Sequence, residues 1–282
     1  MFDRLDHLIV VVADLSSAVN DYTKVFGFPP TWRGKHEKLG TENALFPVQN
    51  TYLELLASSG KGSGSDMVNS ILKTRGEGLS GIALGTKNIE TLKNQLSEKG
   101  LKTGDIVTGV GVDLNENKSR SWRNLFFSPD IMRDLFLFAI EHGSGELPTI
   151  ETNHSQINRL DHVVVHSNDP EGFISLYRDM FDIRLSLDQT IEKWGGRMLF
   201  FRLNKTTLEV IGKKDSEKKI KDSFWGLAWD VDDLAQAHQR LVNEGVEVTD
   251  IRNGRKPDTL VCTVKSHTLG VPTLLIEHLD RT

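Results

Sequence analysis

Two pairs of residues suited to metal chemistry recur at a single offset. His7 and Glu54 lie 47 residues apart, and so do His162 and Glu209. Each histidine follows an aspartate in a strand-like run. The first reads Arg4-Leu5-Asp6-His7-Leu8-Ile9-Val10-Val11 and the second Arg159-Leu160-Asp161-His162-Val163-Val164-Val165-His166. The glutamates sit among apolar neighbours, in Tyr52-Leu53-Glu54-Leu55 and Thr207-Leu208-Glu209-Val210. A carboxylate buried without a partner is costly, so Glu54 needs a metal or another cation beside it. Imidazole nitrogen with carboxylate oxygen suits Fe(II), Mn, Zn, Ni or Co rather than a soft thiolate metal. Strand side chains alternate between faces, so a histidine and a glutamate on partner strands can share one interior.

The elements that must position these residues are legible as an internal repeat. After each Leu-Asp-His strand comes a helical stripe. Leu15, Val19, Tyr22 and Phe26 form the first, and Phe173, Tyr177 and Met180 form the second behind an Asp169-Pro170 start. Three strand-like runs follow each helix, and the pattern then begins again. Gly78 to Leu84 reads as a strand, Asn88 opens a helix carrying Ile89, Leu92 and Leu96, and Gly100 stops it. In the second half Phe224 to Trp229 is the strand, and Leu234, Leu241 and Val242 mark a helix ending at Gly245. The closing strands end in Ile140-Glu141-His142 and Ile276-Glu277-His278.

The expected fold is therefore α+β, with four βαβββ modules paired into two halves. The Gly-, Ser-, Pro-, Thr- and Asn-rich stretch from Gly143 to Asn158 marks the joint, which puts domains at 1–145 and 158–282 with a linker at 146–157. Gly60 to Ser65 reads as the connector between modules of the first half, and the lysine-rich run Lys213 to Lys221 as a solvated connector in the second.

A module pair with Asp-His on its first strand and Leu-Glu on its fourth resembles the vicinal oxygen chelate superfamily, which includes glyoxalase I, extradiol dioxygenases and bleomycin-resistance proteins. The likeness spans the chain in module order and is sharpest from Leu5 to Ala57. There Gly34-Lys35-His36, Gly40-Thr41-Glu42-Asn43-Ala44-Leu45 and Tyr52-Leu53-Glu54-Leu55-Leu56 are similar to the glyoxalase-like domain family, with its His…Gly-Thr-x-Asn…Tyr-Leu-Glu signature. Ser119-Arg120, Trp122-Arg123 and Ile140-Glu141-His142 stand where that family has similar Arg, Trp-Arg and acidic elements.

What the resemblance implies is two glyoxalase-like cupped sheets with a divalent metal inside. His7 and Glu54 become ligands of the first cup, and His162 and Glu209 those of the second. Gly81 and Gly226 stand where a four-ligand glyoxalase I would place another ligand, which disfavours that glutathione-dependent reaction. A third ligand would come from the closing strands, as His142 or Glu141 and as His278 or Glu277. Neighbours on a strand face opposite ways, and the histidines are favoured, giving sites that leave positions open for substrate. His36 and Glu141 are expected to handle protons. Thr41, Asn43, Tyr52 and Trp122 are expected to contact substrate, and Arg120 and Arg123 to hold an anionic group. The second half has Glu192-Lys193-Trp194-Gly195-Gly196-Arg197 in place of the His36 and Gly-Thr-x-Asn elements, so one active site per chain is expected.

The functional expectation is a metal-dependent lyase, isomerase or dioxygenase acting on a small molecule with vicinal oxygens, because one scaffold hosts all three chemistries. The alternative is a metal-free binding or resistance protein, with Trp122, Trp194, Trp225 and Trp229 stacking on a planar ligand. A scaffold without ligand comes last. Net charge of −5 gives no reason to expect nucleic acid or an acidic membrane as partner. No run of about 18 apolar residues spans a bilayer, and Met1 to Asp6 lacks the character of a secretory signal. The single Cys262 lies in an apolar run and is read as buried and inert, consistent with a cytoplasmic setting. Four modules in one chain can pair internally, so a monomer or homodimer is expected.

Overall fold

The inner strands of the first half (Arg4–Val11, Thr41–Pro47, Tyr52–Ser58, Gly78–Gly85 and Phe136–His142) are buried almost along their whole length, and every helix before a strand triplet is started by a side-chain cap. The computed structural model describes residues 1–114, 118–191, 196–212 and 220–280. Lys213 to Lys219 of the lysine-rich connector, and Glu192 to Gly195 with Trp194, lie outside the described residues.

The first half runs β1 (Arg4–Val11), α1 (Leu15–Phe26), β2 (Trp32–His36), β3 (Thr41–Pro47), β4 (Tyr52–Ser58), α2 (Ser63–Arg75), β5 (Gly78–Gly85), α3 (Ile89–Glu98), β6 (Thr103–Asp113), β7 (Ser119–Phe127), the short α4 (Pro129–Met132) and β8 (Phe136–His142). The second half repeats it with β9 (Ile157–Ser167), α5 (Pro170–Ile174) and a π turn over Ser175–Met180, then β10 (Arg184–Ile191), β11 (Gly196–Leu203) and β12 (Thr206–Gly212). β13 (Asp222–Val231), α6 (Leu234–Asn243), β14 (Arg252–Asn253), β15 (Thr259–Val264) and β16 (Thr273–His278) complete it.

Each module wraps its first strand parallel to its last, β1 on β4, β5 on β8, β9 on β12 and β13 on β16. Two modules join through antiparallel first strands, β1 with β5 and β9 with β13. In the first half β2 also pairs with β6, which closes the eight strands into a barrel. The second sheet stays open, with β10 and β14 at its edges.

Asp14 caps α1 by accepting from Ser17 N, and Gly27 ends it at φ 85°, a left-handed conformation glycine adopts without strain. Leu15, Val19, Tyr22 and Phe26 are buried as their spacing requires. Asn88, Asp169 and Asp233 cap α3, α5 and α6 in the same manner. Val242, expected on the buried face of α6, is exposed; Ala237 is buried with Leu234 and Leu241 instead.

The apolar core is continuous across both halves. Phe26 meets Trp229 edge to face at 5.0 Å, so Trp229 is core and not a cup residue. Arg240 of α6 donates to the carbonyls of Lys24 and Val25 at the end of α1. Arg133, just after α4, pairs with buried Asp222 of β13 at 2.6 Å and with Asp169 at 3.1 Å.

The Gly60–Ser65 connector is shorter than expected, because α2 begins at Ser63. Met67, Val68, Ile71 and Leu72 of this helix pack on Ile9, Val11, Leu56 and Phe138, the barrel's inner face. The helix is tied to the β2–β3 turn: Ser65 N donates to Leu39 O at 2.9 Å, and Ser59 N to Gly40 O at 2.8 Å. Gly40 has φ 67°, and a Cβ there would stand 2.6 Å from Lys61 O. Only glycine fits that approach.

Candidate metal and substrate site

The barrel's interior holds a cavity of about 320 Å³ roofed by α2. Its polar end is made by a bulge in β1. Leu5 pairs with Leu84 and His7 with Ala83, so Asp6 is the extra residue. The bulge turns the Asp6 carboxylate towards His7 and His142. His7 donates from Nδ1 to Asp6 Oδ1 at 2.8 Å, and His142 donates from Nε2 to both Asp6 oxygens at 3.0 Å. Burial would raise the Asp6 carboxyl, but hydrogen bonds and charge from His142 and His7 outweigh it and hold Asp6 far below the usual carboxylate range.

An ionised carboxylate only accepts, so His7 Nδ1 carries a hydrogen and the neutral ring has its lone pair on Nε2. That Nε2 faces Glu54 Oε2 at 3.4 Å. The other carboxylate oxygen, Oε1, accepts from Asn43 Nδ2 at 2.7 Å. Two acceptors therefore face each other in a site where His7 is 3% exposed and Glu54 9%. A cation or a proton between them removes the conflict.

Around this pair the residues expected from the sequence do gather. Tyr52 stacks on His7 at 4.6 Å, and its hydroxyl stays protonated because burial, then the charges of Asp6 and Glu54, push its pKa well above the usual value. His36 Nδ1 lies 2.9 Å from Thr41 Oγ1, and its ring meets Trp122 edge to face at 5.3 Å. Burial lowers the pKa of His36, and Arg120 lowers it further against the opposing pull of Glu54. Arg120, 7% exposed, lies over Trp32 and Tyr52 at 5.6 and 5.9 Å. Arg120 Nε and Asn43 Oδ1 are buried without hydrogen-bond partners. Gly109 and Gly111 allow the Trp122 ring to lie across β6; a Cβ on Gly109 would sit 2.3 Å from it.

Three expectations need correction. Glu141 is not a proton shuttle in the cup: along β8 it faces outward, accepts from Arg123 at 2.9 and 2.8 Å, and caps α3 through Ile89 N at 2.7 Å. Arg123 likewise faces away from the cavity and pairs with Glu141 and Glu90. Strand alternation sends Arg120, Trp122 and Asn124 inward and Arg123 outward. His142 faces inward, but its Nε2 goes to Asp6, not to the gap between His7 and Glu54.

The cavity also has an aromatic wall that the sequence motifs do not announce. His7 pairs with Tyr52, and Gly81 with Phe136 in the same relation, so Gly81 and Phe138 are the second module's counterparts of His7 and Glu54. Neither can bind a metal. Phe136 fills the space above Gly81, where a Cβ would be 2.6 Å from its ring, and Phe126, Phe136 and Phe138 make the opposite side of the cavity aromatic. The alternation Phe136-Leu137-Phe138-Ala139-Ile140 was the available signal.

The second half preserves the polar pattern. Asp161 is again the bulged residue, between Leu160 and His162. It accepts from His162 Nδ1 at 2.7 Å and His278 Nε2 at 2.7 Å, and His162 Nε2 stands 3.5 Å from Glu209 Oε2. Burial raises the Glu209 carboxyl. For His162 burial acts downward, but the Asp161 hydrogen bond and the Glu209 charge leave its pKa raised. Glu277 faces outward and caps α6 through Leu234 N at 2.8 Å, as Glu141 caps α3. Among the described residues, Asp161, Asp230 and His278 bring three ligand-type atoms within 4.8 Å of one another. Arg159 already donates to Asp230 at 2.8 Å, so that group is an ion-pair network. Trp225 borders the second cavity, stacked on His166 at 5.6 Å.

The sequence profile of the glyoxalase-like domain matches residues 5–181, and that of the glyoxalase/bleomycin resistance protein/dioxygenase superfamily matches residues 161–263. No curated protein matches the chain. Among solved structures, a mutant 4-hydroxymandelate synthase from Streptomyces coelicolor is similar with a TM-score of 0.70 at 15% identity, over 98% of this chain and 92% of that one. The Mn(II)-bound glyoxalase from Novosphingobium aromaticivorans gives 0.64 at 15% identity, over 99% and 83%. A hypothetical protein from Staphylococcus aureus gives 0.63 at 14%, over 97% and 99%. At these identities the likeness is one of fold. No described helix is long and apolar enough to cross a membrane.

Proposed function

The chain belongs to the glyoxalase-like domain family, and from that premise we propose that its first half is a metal-dependent enzyme acting on a small molecule with vicinal oxygens. The observation that carries the reading is the 3.4 Å approach of His7 Nε2 to Glu54 Oε2, two acceptors whose remaining atoms are fixed by Asp6 and Asn43. Their donor types suit a divalent ion, and the carboxylate–histidine support is the usual second shell of such a site. His7 Nε2 and Glu54 Oε2 would hold the ion and leave its other positions for substrate oxygens.

A bound ion supplies Lewis acidity to those oxygens. The chain's own residues do the rest. Arg120 offers an unpartnered Nε to an anionic oxygen, and its planar cation suits carboxylate-like groups. His36, kept neutral by burial and by Arg120, accepts a proton from the substrate. Trp122, Phe136 and Phe138 take the apolar part and exclude water, while α2 closes the roof. A neutral base near His7 and Glu54 suits isomerase or lyase chemistry, in which a proton is moved. Metals suited to this donor set are Mn, Fe, Zn, Ni and Co.

Oxalate presents vicinal oxygens and no reactive carbon, so it tests the site without turnover. Mn(II) and oxalate together are expected to raise the Tm by more than the sum of their separate effects, and His7→Ala to abolish the excess. Oxalate stabilisation that is identical with and without metal would support the metal-free binding reading instead.

A further inference from the structure

The second cup differs from the first in size, opening and charge. Its cavity is about 740 Å³, against about 320 Å³ in the barrel. Among the described residues β10 and β14 do not pair as β2 and β6 do, so the cup opens between the two edges of its sheet. The border of this cavity is basic. Arg202, Arg252, Arg255 and Lys256 border the cavity, with Asp161 and Glu209 as its acids, on a chain whose net charge is −5. Among the described residues, the lining of the first cup has one cation, Arg120, and one carboxylate, Glu54. The floor of the second cup is apolar, with Met198, Phe200, Leu227, Leu274 and Ile276 facing in.

We propose that the second half is a binding site of its own for an amphipathic organic anion, with a carboxylate or phosphate head at the basic rim and an apolar body on the floor. Rim cations on an otherwise acidic surface concentrate anions locally. Guanidinium groups recognise carboxylate and phosphate through paired hydrogen bonds. The large open cavity accommodates a body longer than the closed barrel admits. The site does not depend on catalysis or metal in the first cup.

The test uses the full chain with EDTA present and three probes of one chain length: decanoate, decyl phosphate and decanol. Each displaces the fluorescent anion 1-anilinonaphthalene-8-sulfonate to the extent that it binds. Decanoate or decyl phosphate should displace it at concentrations at least about tenfold below decanol, as expected for charge-assisted contacts. The stronger of the two identifies the head group. Arg252→Glu/Arg255→Glu/Lys256→Glu, whose sites are all exposed, should erase that preference while leaving the circular dichroism spectrum unchanged. Hydrogen exchange locates the site: protection by the anion is expected in 184–191 and 252–264. Equal displacement by decanol, an unaltered preference in the triple variant, or protection confined to 32–58 would each overturn the proposal.

Discussion

At the scale of residues, the His7–Glu54 gap is set by the hydrogen bonds that Asp6 and Asn43 make to the two side chains. Asp6 orients His7 and holds its Nδ1 hydrogen, so Asp6→Asn should weaken Mn(II) binding by about 10- to 100-fold while leaving the fold intact. Titration calorimetry reads this directly, and an unchanged affinity would show that His7 is not a ligand. His36 gives a second prediction. Its folded pKa lies below the ordinary histidine value of 6.5, because of burial and the Arg120 charge. The unfolded chain therefore binds more protons between the folded and unfolded pKa values. His36 contributes stability that is present above about pH 6.5 and is lost as pH falls through the folded value. Replacing Arg120 by Gln removes a charge that lowers the pKa, so the His36 ring should titrate at higher pH by NMR. A shift to lower pH would contradict this placement.

At the scale of elements, the module order was legible because its signals are local: Asp-His strands, helical stripes and capped starts. His7 and Glu54 were legible because their offset recurs. The direction of Glu141 and His142 was not, since alternation states that they differ and not which faces inward. The register of β8, with Phe136 beside Gly81, decides it. The role of Asp6 was open to reading, because Asp precedes His in both halves, yet a bulge has no sequence signature of its own. The roof helix was hidden behind Gly60-Lys61-Gly62-Ser63-Gly64, which looks like a linker. Those glycines instead let α2 start against the Leu39–Gly40 backbone. Gly40→Ala should loosen this seat and speed amide exchange across 63–75, with little effect on β9–β12; unchanged exchange in 63–75 would mean that α2 is held by its apolar face alone.

At the scale of the whole molecule, two similar halves share one core but have diverged in their cups: one is a closed barrel with an aromatic wall, the other an open sheet with a basic rim. Arg133 ties them together through Asp222, which is fully buried and whose pKa is raised by burial against the opposing pull of Arg133. Arg133→Met strands that carboxylate and should cost about 3–5 kcal/mol in urea unfolding. A loss within about 0.5 kcal/mol, the usual range for surface substitutions, would show the pair to be incidental to the joint. Because the Asp-His-Glu geometry is duplicated, the proposed metal site must be distinguished from its copy in the second cup. Mn(II) added to metal-free protein and followed by electron paramagnetic resonance makes that distinction, in wild type, Glu54→Gln and Glu209→Gln. The expected result is an occupied site that Glu54→Gln abolishes and Glu209→Gln spares. No bound Mn(II) in wild type, or a site that survives Glu54→Gln and disappears in Glu209→Gln, would contradict it.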